Sequence, residues 1–270
     1  MATKLSKTKI DQLGERLKQA RSDEDIRLLD EYRFSFGEAY ETVISRVRGI
    51  VPAPPSGRPV KTTDSIVDKL RRESIRLTQM QDIAGCRVVV EDIAEQNRSV
   101  AALIAAFPMA AVMDRRVKPS YGYRAVHVIP KISGKPVEIQ VRTILQDLWA
   151  KMSERASDTI DQNLKYGGGP PEWLTFLDGS SKGVASLENS EVFIGTAEKA
   201  GDDIRQMLDT EMGKSSGNGE TGIQEVKSRL ADLDENLAKA KLTLQEEKKA
   251  VMNIFAKLLS LFDMIKKQQL

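Results

Sequence analysis

The sequence predicts an α+β protein: a small mixed β-sheet flanked by helices, with N-terminal helices before it and a long C-terminal helix after it. Three observations carry that reading. Apolar residues recur at helical spacing through the first fifty positions. Short β-branched runs then surround one helical stretch in the order β-α-β-β-β, and the last fifty positions hold an apolar 3-4 repeat. A chain of 270 residues can bury a sizeable core, which suits one catalytic domain with helical additions.

Residues 1–50 form the N-terminal helical segment. Ile10, Leu13, Leu17 and Ala20 mark one stripe, and Ser22 or Asp23 caps a second helix that starts near Asp25. That helix ends by Gly49, because VPAPPSGRP (51–59) cannot continue it. A short helix with grouped cations follows over Ser65–Ile75.

The next unit, residues 58–170, holds the sheet. CRVVVED (86–92) is a strand, IAEQNRSVAALIAAF (93–107) a helix halted by Pro108, and AAVMDRRV (110–117) a second strand. Lys118 to Thr143 is a hairpin turning at Ser133-Gly134. On its second strand Val137, Ile139 and Val141 face one way, and Glu138, Gln140 and Arg142 the other. On its first strand parity places Tyr123, Ala125, His127 and Ile129 together. A helix over roughly 144–165 stops at Gly167-Gly168-Gly169-Pro170-Pro171.

Residues 171–222 are expected to be an irregular or helical linker region, with a mobile GKSSGNGETG at 213–222. From 223 to 270, Ile223, Val226, Leu230, Leu233, Leu237 and Ala240 open a heptad pattern that runs on to Ile265. The pattern names a seam and not a partner, so it fits self-association, pairing with another helix, or a fold back onto the catalytic body.

Composition excludes several classes. The formal charge of +2 is too small to argue for nucleic acid by itself, and the 5% aromatic content points to an aliphatic core. One cysteine, Cys86, forbids an internal disulfide and fits a reducing compartment. One histidine cannot build a multi-histidine metal site. The charged N-terminus and the lack of any long apolar run lead to the expectation of a cytoplasmic protein with no membrane partner. No P-loop, Rossmann fingerprint or nucleophile elbow is present.

What remains is a set of acids and cations converging on one sheet. Asp82 precedes the first central strand and Glu138 lies on a later one, so the two carboxylates can share a Mg²⁺ if those strands are neighbours. By spacing alone Asp82 better suits a turn or cap, and Glu138 a solvated strand face. Lys61, Lys69, Arg72 and Arg87 suit a triphosphate or an ordinary cationic surface. Tyr123 suits base stacking or simple packing, and His127 a buried imidazole or a ligand contact.

Three motifs in order, DIAGCRVVV (82–90), GYRAVH (122–127) and EIQVRT (138–143), resemble the synthetase domain of RelA/SpoT-type alarmone synthetases. KTTDSIVDKLRRE (61–73) is similar to that family's ATP-binding segment. The resemblance implies a nucleotidyltransferase-like fold over residues 58–170 and transfer of the β,γ-pyrophosphate of ATP to the 3′-hydroxyl of GDP or GTP, giving (p)ppGpp. By motif position, Asp82 and Glu138 would hold Mg²⁺ and act in catalysis, and Lys61, Lys69, Arg72 and Arg87 would bind ATP. Tyr123, Lys118, His127, Gln140 and Arg142 would bind the acceptor.

Long family members carry a hydrolase with a histidine-aspartate metal site, so a single histidine implies a small, synthetase-only member. Where the family often shows Lys-Pro-Asn-Gly-Tyr, this chain has Lys118-Pro119-Ser120-Tyr121-Gly122-Tyr123, which leaves the acceptor open. Some small members are toxins that modify the 3′ end of tRNA or make adenosine alarmones, and the run Arg115–Lys118 bears on that alternative, as would an antitoxin partner. A catalytically idle nucleotide-binding module is the third reading.

Overall fold

The computed structural model describes residues 6–212 and 220–268. The chain divides into two units: residues 1–91, 95–118 and 124–144 in the first, and 92–94, 119–123 and 145–270 in the second.

In the first unit, helices α1 (Lys7–Gln19), α2 (Asp23–Phe34) and α3 (Gly37–Arg48) come first. Ser6 and Ser22 cap α1 and α2, each accepting from a backbone N–H three residues on. The single second helix expected from Asp25 to Gly49 is therefore two helices. The break falls at Ser35-Phe36, where the fully buried Phe36 stacks edge-on against Tyr32 at 5.3 Å. Strand β1 (Ser56–Arg58) leads into α4 (Thr63–Glu73), capped by Thr62.

Strand β2 (Ala84–Val90) and helix α5 (Ile93–Ala106) follow, then β3 (Ala111–Asp114), β4 (Val126–Ile129), β5 (Lys131–Ile132) and β6 (Lys135–Thr143). The sheet order is β1-β2-β6-β4-β3, with β5 paired to the start of β6. Among the described residues only β2 and β6 run parallel; the other pairs are antiparallel. The Ser133-Gly134 turn carries positive φ at both residues, 50° and 78°, the backbone that matches hairpin twist.

Register sorts the side chains into two faces. Cys86, Ile139 and Val128 stand in one lateral row and Val88, Val141 and Val126 in the next. These apolar residues join Leu13, Leu17, Leu29, Val43, Ile66 and Leu103 in one buried core. The opposite face carries the row Arg87, Gln140, His127 and Met113, with Glu138 and Arg142 on either side of Gln140.

In the second unit, α6 (Ile144–Thr159) ends earlier than the sequence suggested, and a single 3-10 turn (Leu164–Tyr166) closes at Gly167 with φ 81°. Residues 171–212, expected as a linker region, are one helix, α7 (Pro171–Met212), of 42 residues. Helix α8 (Glu220–Gln268) returns along it. The antiparallel sense is fixed by Arg205 with Asp234, Lys241 with Glu198, Lys248 with Glu191, and Trp173 with Phe262. Leu177, Val184 and Ile194 of α7 and Leu237, Leu244, Phe255 and Phe262 of α8 are buried in two clusters.

The heptad seam read in the C-terminal stretch thus has a partner within its own chain, helix α7, which is the reading of pairing with another helix. The expected linker GKSSGNGETG falls largely outside the described residues. Among the described residues no helix is long and apolar enough to cross a membrane.

Candidate functional site

Glu138 lies at the centre of the polar sheet face. It is 8% exposed, so the solvated-face reading does not describe it. His127 Nδ1 donates to one carboxylate oxygen at 2.9 Å, reaching diagonally from β4. Gln140 Nε2 donates to the other at 2.6 Å, and Arg142 Nη2 donates to Gln140 Oε1 at 2.9 Å. The polar register seen in the sequence is a hydrogen-bonded chain, Arg142 to Gln140 to Glu138, with His127 closing it from the neighbouring strand. Burial presses the Glu138 pKa upward, but the donors, His127 first, hold it below the usual glutamate value. Glu138 is consequently a carboxylate at neutral pH.

Gly85 is the residue of β2 directly opposite Glu138. A Cβ there would lie 2.5 Å from the Glu138 carbonyl oxygen, so only glycine lets the two strands run this close. Three residues before Gly85, Asp82 sits just outside the strand and is buried. Its carboxylate accepts from Lys61 Nζ at 2.6 Å and Lys69 Nζ at 3.0 Å. Burial would raise its pKa; the two ammonium groups outweigh this and hold it at about 2. Lys61 is itself lowered, by burial, against the pull of Asp82.

Lys61 is anchored through its backbone. Its N–H donates to the Ile83 carbonyl at 2.7 Å, and its own carbonyl accepts from Arg33 Nη1 at 2.9 Å. Lys69 is carried by α4, on its second turn, seven residues past the Thr62 cap.

The structure brings Asp82, Lys61 and Lys69 into one cluster and Glu138, His127, Gln140 and Arg142 into another. The Asp82 charge is felt at Glu138, where it raises the pKa against the hydrogen bonds. Arg87 shares the lateral row of Gln140. Arg72 extends toward Glu73 at 3.1 Å, and Lys118 is exposed beyond β3.

Tyr123 departs from expectation. Strand β4 starts only at Val126, because Tyr121 and Gly122 take positive φ of 50° and 86° and turn the chain. Strand parity therefore does not reach Tyr123. Its ring packs against the apolar cluster of the second unit that contains Leu145 and Trp149.

Two residues escaped the sequence reading. Arg58 pairs with Gly85 in register and donates from Nη2 to the Asp82 carbonyl at 3.0 Å; Arg33 braces Lys61. A strand three residues long leaves no periodicity, so nothing local revealed Arg58. In the basic run Arg115–Lys118, Arg116 is committed to Asp114 at 2.7 Å and to Asn97 at 2.7 Å, which limits what it can offer a backbone phosphate.

These features define a class: an α+β domain whose mixed sheet presents a buried acid and cation network on one face. Residues 57–162 match the family model described as the region found in RelA / SpoT proteins. The uncharacterized protein Rv1366 of Mycobacterium tuberculosis is 37% identical over 116 residues, 42% of either chain, as is its Mycobacterium bovis counterpart Mb1401. The chain thus matches well under half the length of these curated relatives.

Among solved structures, small alarmone synthetase 1 from Bacillus subtilis bound to its product pppGpp is 25% identical with a TM-score of 0.49, covering 63% of this chain and 97% of that one. The smu.1046c protein of Streptococcus mutans is 27% identical with a TM-score of 0.45, covering 66% and 97%.

Proposed function

We propose that this chain is a pyrophosphokinase that transfers the β,γ-pyrophosphate of ATP to the 3′-hydroxyl of GDP or GTP. One observation carries the proposal: an ionised, buried Glu138 on β6 beside β2, whose preceding Asp82 already gathers two lysines. The RelA/SpoT match over 57–162, which includes every one of these residues, supports it.

In this reaction the acceptor's 3′-oxygen bonds to the β-phosphorus, the bond to the bridging oxygen of the α-phosphate breaks, and AMP leaves. Two polyanions must approach, so fixed positive charge lowers the barrier. Lys61 and Lys69 supply two such charges within 3.0 Å of Asp82, so a triphosphate arriving there meets cations already held in place. Glu138 accepts the proton of the attacking hydroxyl, a contribution of about 10²–10⁴-fold. His127 and Gln140 keep that carboxylate ionised and oriented.

Among the described residues no group of three or more His, Cys, Asp and Glu converges. Asp82 and Glu138 would be the carboxylates to hold Mg²⁺, an ion commonly carried on one or two carboxylates and completed by phosphate oxygens and water. When bound, the ion supplies charge to offset the phosphates.

Incubating the protein with Mg²⁺ and ATP labelled on the γ-phosphate tests the reading, with GDP, GTP, ATP and deacylated tRNA offered separately. Label is expected on GDP or GTP, and Glu138→Gln is expected to lower transfer by at least ~10²-fold while circular dichroism is unchanged. Label on tRNA alone or on ATP alone would replace the acceptor assignment. No transfer to any of the four would sink the activity.

A further inference from the structure

Helix α7 carries two seams. The first, through Leu177, Val184 and Ile194, is buried in its own unit. The second repeats on another face at heptad spacing and is largely exposed, apart from Ala197, which packs against the cluster of Ile194, Leu237 and Leu244. Phe176, Phe193, Ile204 and Met207 lie on it, 37%, 72%, 41% and 68% exposed. Between them, at 3-4 spacing, come only small uncharged residues: Gly179, Gly183, Ser186, Ser190, Ala197 and Ala200. In a chain with 30% charged residues, ten consecutive positions of a helical stripe without one charge mark a face not meant for water alone.

The second unit shows which side of the hairpin this is. Ser181 Oγ donates to the Gly122 carbonyl at 2.6 Å, and Gln146 of α6 donates to Glu188 at 2.9 Å, both on the α7 flank opposite the bare stripe. On α8, Asp263 and Lys266 pair with Arg155 and Asp158 of α6. Ile254, Leu261 and Met264 point away from those pairs and are 53%, 49% and 51% exposed. Helix α6 therefore covers one flank of the hairpin, and the apolar residues of both long helices collect on the other.

We propose that this flank is a homodimer interface, occupied by the same flank of a second copy of the chain. From 176 to 200 the stripe is complementary to itself. If two α7 helices cross antiparallel on a two-fold axis at position 188, residue i meets residue 376 − i. Phe193 then falls over Gly183, Phe176 over Ala200, Gly179 over Ala197 and Ser186 over Ser190. Each phenyl ring meets a small residue, and the matched stripe from 176 to 200 holds no charge, while Ile204 and Met207 lie beyond it. Added bulk at Gly179 or Gly183 would touch nothing within 4 Å in the single chain, so both notches are open.

A two-fold axis requires this self-matching, which an unrelated partner does not. From 176 to 200 the self-matched stretch is about 36 Å long at 1.5 Å per residue. With the shorter α8 portion and a helix width of about 10 Å, roughly 500 Å² per copy is available. Doubled, that is about 1,000 Å², what a specific interface should clear.

Sedimentation of the whole chain at 1–100 µM tests the proposal. A species of twice 30.0 kDa is expected, and Phe193→Glu, at an exposed site, should raise the dimer dissociation constant at least ~100-fold without changing circular dichroism. Lys199→Glu, exposed on the other side of α7, should leave it unchanged. Mixing Ser186→Cys chains with Ser190→Cys chains under oxidation should trap the heterodimer disulfide. A wild-type monomer over the whole range, a dimer indifferent to Phe193→Glu, or a monomer that instead captures lipid vesicles or a different protein would overturn it.

Discussion

Glu138 shows how a single residue's chemistry depends on its neighbours. Alone and buried, it would prefer to be protonated; His127 and Gln140, each donating to one oxygen, reverse that preference. Removing His127 takes away the largest contribution that favours the charged form. His127→Ala should therefore raise the Glu138 pKa. Because the proposed base works only when ionised, the acid limb of the pH–rate profile should move to higher pH, with a smaller loss at alkaline pH where Glu138 ionises anyway. A profile of kcat/KM from pH 4 to 9 reads this directly. An unshifted limb would separate the imidazole from the ionisation of Glu138. The alternation around Glu138 was legible in the sequence because a strand's period of two is strict. The burial of that polar face was not, since alternation alone does not say what covers a face. Nor did the sequence show that Lys61 and Lys69 converge on Asp82, which takes a loop, a helix and a strand end to assemble.

Between elements, the closeness of β2 and β6 is the feature on which the site depends. The order β-α-β-β-β and the hairpin turn were legible from local pattern, but the parallel pairing of the first and last of these strands was not, being a long-range contact that no local signal encodes. Gly85 carried a hint, since a glycine inside a β-branched run marks a close backbone approach. Gly85→Ala is expected to force β2 from β6 at the row of Glu138, because the new methyl would meet a backbone carbonyl at 2.5 Å that cannot swing aside. The cost should be about 1–3 kcal/mol in urea unfolding, typical of overpacking, and the loss of transfer activity should exceed what the stability change explains. A fully active, equally stable alanine variant would show that the strands have room to spare. Tyr123 is the opposite lesson: parity was extended through residues whose positive φ ends it, and Gly122 was the signal.

At the scale of the whole chain, the RelA/SpoT match ends at 162, and the two long helices lie beyond it. The sequence showed α8 through its leucine heptads but missed α7, whose buried seam mixes Leu177, Val184 and Ile194 with Ser181 and Glu188 and so lacks a plain apolar rhythm. The two helices were therefore not recognised as each other's partners. Their pairing makes a prediction that differs from that of an intermolecular coiled coil. If α8 served only to join separate chains, ending the protein at residue 212 would leave a well-behaved smaller species. In the fold-back, the same truncation uncovers Leu177, Val184 and Ile194 along one side of a 42-residue helix whose other apolar stripe is already bare. A helix apolar on two faces has no soluble resting place. The truncated chain is expected to aggregate or to degrade rapidly in limited proteolysis within 171–212, while adding the 220–268 peptide in trans should restore solubility. Light scattering with and without that peptide distinguishes the outcomes, and a clear, protease-resistant truncated chain would mean that α7 does not need α8.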